Sequence, residues 1–327
     1  MGLIPSPAAG QFATVAPRQS AASLPAQAPI ATTPGGASPW QVETNAAATP
    51  ATRPPVLLQE AIWAMQRHRS VSATIRQEVD LFGKHLIGSG SYAEQRQGDG
   101  YMMRLDLRIQ NGDQTSSLVQ VAALPDADGR RFLWTKRKLF GEEQLTRVDL
   151  ARALRGLQQA ETEAAKKGTP GVLPGIGGLP KLLSGLATSF EFTSAQLGHS
   201  GQEQRTVWRL QGQWKPEQLL KMLPEQASDI QAGKLANLEA LPQHVPDHVV
   251  LLLGYEDHFP YRVEYRRIDQ QESTKSGKPV SQTLVSVDLY NVVLDAPINP
   301  QRFIYSPGDL EYADETSAFL QSLGLAE

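Results

Sequence analysis

The chain has 327 residues, no cysteine, and 31 Lys and Arg against 34 Asp and Glu, for a formal net charge of -3. This excludes a disulfide framework, a thiolate metal site, an iron–sulfur cluster and a cysteine nucleophile, and it lacks the basic excess that neutralises nucleic-acid phosphates. The longest purely apolar runs, Val249 to Leu253 among them, are five residues and fall far short of the about 20 a membrane-spanning helix needs, so no transmembrane segment is expected.

Residues 1–55 hold 10 of the 23 prolines, 14 alanines and three charges, Arg18, Glu43 and Arg53. Such a stretch cannot bury enough surface to offset its ordering entropy, and its Pro-Ala spacing favours extended, polyproline-like conformations. It is read as a disordered Pro/Ala-rich linker. Met1-Gly2-Leu3-Ile4-Pro5 has neither the positive start nor the apolar core of a secretory signal. With a tether of this kind behind it, the expectation is an exported protein whose start lies upstream or whose signal has been removed.

The body, 56–327, opens with Leu58, Ile62 and Met65 at i, i+4 and i+7 after Pro54-Pro55, which predicts a helix over 56–68. Val71, Ala73, Ile75, Val79 and Leu81 then alternate with polar residues, the period of a strand with one buried face. The same alternation returns at Met103 to Ile109, at Trp208 to Trp214 and at Tyr261 to Tyr265. Turn chemistry at 98–100, 111–112, 126–129 and 275–278 predicts hairpins between adjacent antiparallel strands. The whole reads as α+β, mostly β: one curved antiparallel meander whose single apolar face needs a cover. Helices are available for it. Asp149 caps a run through Leu150, Leu154 and Leu157; Pro180 leads Leu182, Leu183, Leu186 and Phe190; Pro216 leads Leu219, Leu220 and Leu223, with a resumption near 230–241. Residues 168–178, rich in Gly and Pro, read as a loop.

No catalytic or cofactor motif is intact. Gly175 to Pro180 replaces the third glycine of a dinucleotide fingerprint with Pro180 and follows a helix where a strand is needed. Gly198-His199-Ser200-Gly201 lacks the second glycine of a nucleophile elbow and reads as a hairpin turn. His244 and His248 are separated by Pro246, which blocks the helix that would align two zinc ligands, and they read as surface histidines. Asp126 and Asp128 lack the glycine and glutamate of a calcium loop. Glu142 and Glu143 diverge on a strand. No enzyme, cofactor or metal site is therefore expected, although distant Ser, His and Asp residues converging in the fold would restore a hydrolase reading.

The aromatics concentrate on strands. Phe132 with Trp134, and Trp208 with Trp214, are read as lying on one sheet face, either as core or as the wall of a cavity for an apolar ligand. The candidate cavity residues are Leu105, Leu107, Ile109, Phe132, Trp134, Trp208 and Leu210, with Leu182, Leu183 and Leu186 as the closing lid. A filled face would instead make the chain a structural or interaction domain.

Several motifs follow one another in a telling order: the first helix, the strand to Leu81, the step Gly88-Ser89-Gly90-Ser91-Tyr92, the strand with Met103-Arg104-Leu105, and Phe132-Leu133-Trp134. Near the end come Phe259 to Tyr265, Leu284 to Leu294, and Ile298 to Pro307 with Phe303-Ile304-Tyr305-Ser306-Pro307. In this order and in these motifs the body resembles the LolA-type lipoprotein carriers, as an enlarged member with helical insertions near 150–190 and 216–248. The resemblance implies an incomplete β-barrel with helices over an apolar cavity. It also implies non-catalytic carriage of lipid or lipid-modified protein in the cell envelope, a periplasmic location, and acyl chains and envelope proteins as partners. The family's Arg-Pro dipeptide is absent; Arg96 and Arg104 are the nearest matches for the arginine that links lid to sheet.

Overall fold

The computed structural model describes residues 42–44, 53–81, 83–97, 100–111, 114–126, 128–139, 141–166, 178–200, 205–269, 273 and 280–322. Among these residues, thirteen strands form one open sheet: β1 Val42–Thr44, β2 Ser70–Leu81, β3 Lys84–Gln97, β4 Gly100–Asn111, β5 Gln114–Ala122, β6 Phe132–Leu139, β7 Glu142–Asp149, β8 Phe190–Ser200, β9 Thr206–Trp214, β10 His248–Gly254, β11 Pro260–Asp269, β12 Val280–Leu294 and β13 Ala313–Asp314. Their order is β1-β8-β9-β10-β11-β12-β2-β3-β4-β5-β6-β7-β13. Two meanders, β2 to β7 and β8 to β12, are thus sewn together by the antiparallel pair β12–β2. The short β13 is parallel to β7. The sheet is not closed into a barrel, as the one-sided alternation predicts.

The helices among the described residues include α1 Pro54–Arg67, α2 Leu150–Lys166, α3 Gly178–Ser189, α4 Pro216–Met222, α5 Ala227–Gln231 and α6 Thr316–Ser322. The two prolines open α1, where their missing N–H groups leave no hydrogen bond unmade. Asp149 caps α2 by accepting the N–H of Arg152 at 3.0 Å. Leu57, Leu58, Ile62 and Met65 of α1, Leu150 and Leu157 of α2, and Leu183 and Leu186 of α3 join one continuous core with the strands. Contacts run from α1 to α3 and β8, and from α3 to β4 and β8. The cover expected over the apolar face is therefore made of α1, α2 and α3.

Three local expectations are corrected. Phe190 starts β8 and does not end α3. The step at Gly88–Tyr92 is the middle of a 14-residue strand. Its glycines serve close approach, since a Cβ on Gly90 would stand 1.9 Å from the Asp106 carbonyl oxygen of β4. The helix expected to resume over 230–241 breaks up: α5 ends at Gln231, Gly233 turns at φ +75°, and 238–240 is a short 3-10 turn. Asp126 closes a plain turn, accepting the N–H groups of Asp128 and Arg130.

Of the linker segment 1–55, residues 42–44 pair with Gly198 to Ser200 of β8, and Pro54 and Pro55 belong to α1. Apart from Arg53, the rest of it lies outside the described residues, as do the loop 168–177, the turn 275–278 and parts of the turns at 98–100 and 111–112.

Candidate functional site

Strand register settles which side chains share the helix-covered face. Val71, Glu94, Met103, Ala122, Leu133 and Val148 form one row across β2 to β7. Five are apolar members of the main core. Glu94 is the exception, at 1% exposure. Its Oε2 accepts the Tyr92 hydroxyl, and its Oε1 accepts Arg96 Nε and Nη2 at 3.2 and 3.1 Å. Burial pushes the Glu94 carboxyl up, and the Tyr92 and Arg96 interactions only partly oppose that. The same Tyr92 hydroxyl accepts the N–H of Leu179 in the first turn of α3, at 3.3 Å. At Gly178, where φ is +59°, a Cβ would come within 2.6 Å of that hydroxyl, so this helix start needs glycine. A polar relay, Arg96 to Glu94 to Tyr92 to α3, thus crosses a largely apolar contact between sheet and cover.

The sequence-predicted residues divide between the two faces. Leu105 and Leu107 are partly buried against the main core, and Trp208 and Leu210 lie within it. Ile109 is half-buried on the same face, near the end of β4. Leu183 and Leu186 are buried beneath the cover, with Leu182 packed at its margin. Trp214 shares this face, its ring 4.2 Å from that of Phe190.

Phe132 and Trp134 do not share it. They form a separate cluster with Val121, Ala123 and Leu145, on the face opposite Leu133. Tyr305 and Tyr312 pack on Trp134 with ring centroids 5.7 and 5.1 Å away, and the Arg147 guanidinium lies 4.4 Å from the Phe132 ring. These aromatics hold the C-terminal segment against the outer face and line no cavity beneath the helices. Arg104 is also on that face, bonded to Asp106 and to the carbonyl of Arg302. Of the two arginines, Arg96 belongs to the relay that reaches α3 and Arg104 secures the C-terminal segment.

A second polar network, unsuspected from the sequence, covers the outer face of β9 to β12. Arg262, 5% exposed, bonds Glu264 and Asp288, and Arg266 bonds Glu264 and Ser281. Burial would raise the Glu264 carboxyl, but Arg262 and Arg266 outweigh it and hold it low. Asp288, with one arginine, is pushed up to about 6 by burial. His248, expected at the surface, is 9% exposed, with Nε2 3.3 Å from Ser281 Oγ. Burial and the nearby Arg266 lower its pKa. A forming imidazolium would meet those cations, and among the described residues no carboxylate is bonded to its other ring nitrogen. The contact therefore lacks what a serine-histidine-aspartate triad needs. Two other histidines face carboxylates, His68 toward Asp295 at 3.0 Å and His258 toward Glu60 at 3.9 Å. The remaining ring nitrogen of each is buried with no hydroxyl on it.

No protein-family model and no curated protein matches the chain. Among solved structures it is similar to a DUF1329 family protein from Desulfovibrio piger, at 10% identity and TM-score 0.31, covering 78% of this chain and 98% of that one. It is also similar to MucB, at 13% identity and TM-score 0.36, covering 79% of this chain and 65% of that one. A third is a putative outer membrane lipoprotein-sorting protein domain from Vibrio parahaemolyticus, at 9% identity and TM-score 0.31, covering 76% and 95%. These neighbours include the kind of protein the sequence resembles. Among the described residues no helix is long and apolar enough to cross a membrane.

Proposed function

We propose that the body binds and carries lipid, or the acyl chains of a lipid-modified protein, in the cell envelope, with no catalytic step. One observation carries this reading: the apolar face of an open sheet is covered by the helices α1 to α3, which meet it mainly through apolar side chains, with polar ties to α3 at Tyr92 near its start and at Lys215 near its end. A cover of that kind can move without unpairing a strand. The magnitudes allow exchange. Burying Leu179, Leu183 and Leu186 contributes roughly 6 kcal/mol at about 2 kcal/mol each, whereas an acyl chain of about 16 carbons gains roughly 12 kcal/mol on leaving water. Cargo therefore outweighs the leucines it displaces. The Pro/Ala-rich stretch of residues 1–55 that precedes β1 serves as the tether that holds the body away from its anchorage, and the location is periplasmic.

A second reading has its own support. Leu57 at 2% exposure and Leu183 at 0% show how completely the cover fills the face, which suits a packed structural or interaction domain.

Mass spectrometry of organic extracts of the full chain, purified mildly from an envelope-targeted host beside a mock purification, separates the two. Carriage predicts a stoichiometric lipid that is lost on Leu107→Glu, together with faster uptake of added fatty acid or lipopeptide by Tyr92→Phe, which unties α3. A folded protein that arrives empty and takes up neither ligand would sink the carrier reading.

A further inference from the structure

Behind the 3-10 turn 238–240, beside the entry to β10 and the end of β11, lies a recess of about 420 Å³ that includes Leu238, Glu239, Asp247, Arg267 and Ile268 in its wall. Its wall comes from the 236–239 segment, which packs on the small cluster of α4 and α5, and from the β10 entry and the end of β11, with no residue of α1 to α3. Asp247 is the unusual group. It is 6% exposed, and its Oδ2 accepts the N–H of Ile268 at 2.7 Å. Its Oδ1 is buried with no hydrogen-bond partner. A carboxylate oxygen left so is costly to bury, and such groups usually meet a ligand, an ion or water.

The adjacent arginine does not answer it. Arg267 Nη1 donates to the carbonyls of Pro242 and Val245 at 2.6 and 3.0 Å, and Nη2 to that of Leu241 at 3.0 Å. Its guanidinium is spent on fastening the 241–245 turn. Asn237 is committed too, its side chain accepting the N–H of Glu239 at 3.1 Å. What the recess offers a ligand is the Asp247 oxygen, the exposed carboxylate of Glu239, and aliphatic walls at Leu238 and Ile268. Among the described residues no third metal-ligating side chain joins the two carboxylates, which sets the recess apart from a divalent-cation site.

We propose that this recess binds a primary ammonium group on a short aliphatic stem, the ammonium between Asp247 and Glu239 and the stem along Leu238 and Ile268. A three-donor cation supplies the missing partner of Oδ1, and a stem of about four carbons fits the available volume and gains from its walls. A lysine side chain of a partner protein and a free alkylamine share this chemistry.

The test is amide NMR of the isotope-labelled full chain, titrated with n-butylammonium, with n-butanol as the uncharged control, and with Nα-acetyl-lysine methylamide. Saturable shifts are expected at the amides of Ile268, Asn237 and Glu239 with butylammonium and not with butanol. Asp247→Asn should weaken binding about tenfold and the exposed Glu239→Gln about threefold. Tighter binding of the lysine derivative assigns the site to a protein side chain, and tighter binding of the free amine assigns it to a small molecule. No saturable shift, equal binding of butanol, or an unchanged affinity in either folded variant overturns the proposal. Should Asp247→Asn fail to fold, Glu239→Gln decides alone.

Discussion

A carboxylate's surroundings decide what it does to stability, and Glu264 and Asp288 make the contrast within one network. Both carboxyls are desolvated on the outer face, yet Glu264 lies between two arginines and Asp288 is bonded to one. Asp288 sits at about 6 in the folded chain against an ordinary 3.8. The folded state therefore keeps a proton that the unfolded state releases between those values. The stability this group contributes is present below the lower value and is lost as pH rises through the upper one. Asp288→Asn has no proton to lose. In urea titrations the wild type should fall behind Asp288→Asn by about 2 kcal/mol between pH 4 and pH 7, and a difference between them that is flat with pH contradicts the assignment. Nothing in the sequence singles out Asp288, because Arg262, Glu264 and Arg266 alternate along β11 just as solvated residues of a half-buried strand do. That they pack flat into a buried network follows from pairing with β12, which composition and period do not contain.

Elements were legible where one face is buried and the other is wet. The strands β2, β4, β9 and β11 declare themselves by alternation, and α1 to α4 by leucine spacing with a proline or a capping Asp149 at the start. The period is lost in β10, where all seven residues are buried, so Val249 to Leu253 shows only as an apolar run. It sits between β9 and β11, apolar core on one side and the arginine network on the other. In β6 the alternation was read correctly but assigned to the wrong side. Phe132 and Trp134 are large and apolar because the C-terminal segment needs a surface to lie on, a long-range demand that a strand's own pattern cannot reveal. Glycines inside β3 misled for a related reason, since Gly90 looks like a turn residue and acts as a spacer. Gly90→Ala should force β4 away from β3 and destabilise the chain by about 2 kcal/mol or more, read as a lower urea midpoint with an unchanged slope. A variant as stable as the wild type would mean that β3 and β4 adjust freely there.

At the scale of the whole molecule, the sheet holds the chain together by joining its distant parts. The pair β12–β2 brings residues 285–294 against 71–79, and Asp295 bonds His68 and the N–H of Arg69 at the end of α1. One end of α1 is thus pinned to the sheet, and α3 runs directly into β8 at Phe190 while its start is tied to the sheet by Tyr92. The open sheet and its helical cover could be inferred from patterning, and so could Leu183, Leu186, Trp208 and Leu210 as residues of the covered face. The relay through Glu94 could not, because a lone glutamate on an alternating strand gives no sign of which side it faces. If the cover is the moving part, its opening must require less free energy than unfolding of the sheet. Hydrogen exchange on the full chain should then show amides of α3 exchanging well before those of β9 to β11. Added fatty acid should deprotect α3 further while leaving the central strands unchanged. Tyr92→Phe should move the ligand-free protein part of the way toward that pattern. Exchange of α3 and the central strands at one common rate, with and without ligand, would mean that cover and sheet open only together, as a packed structural domain requires.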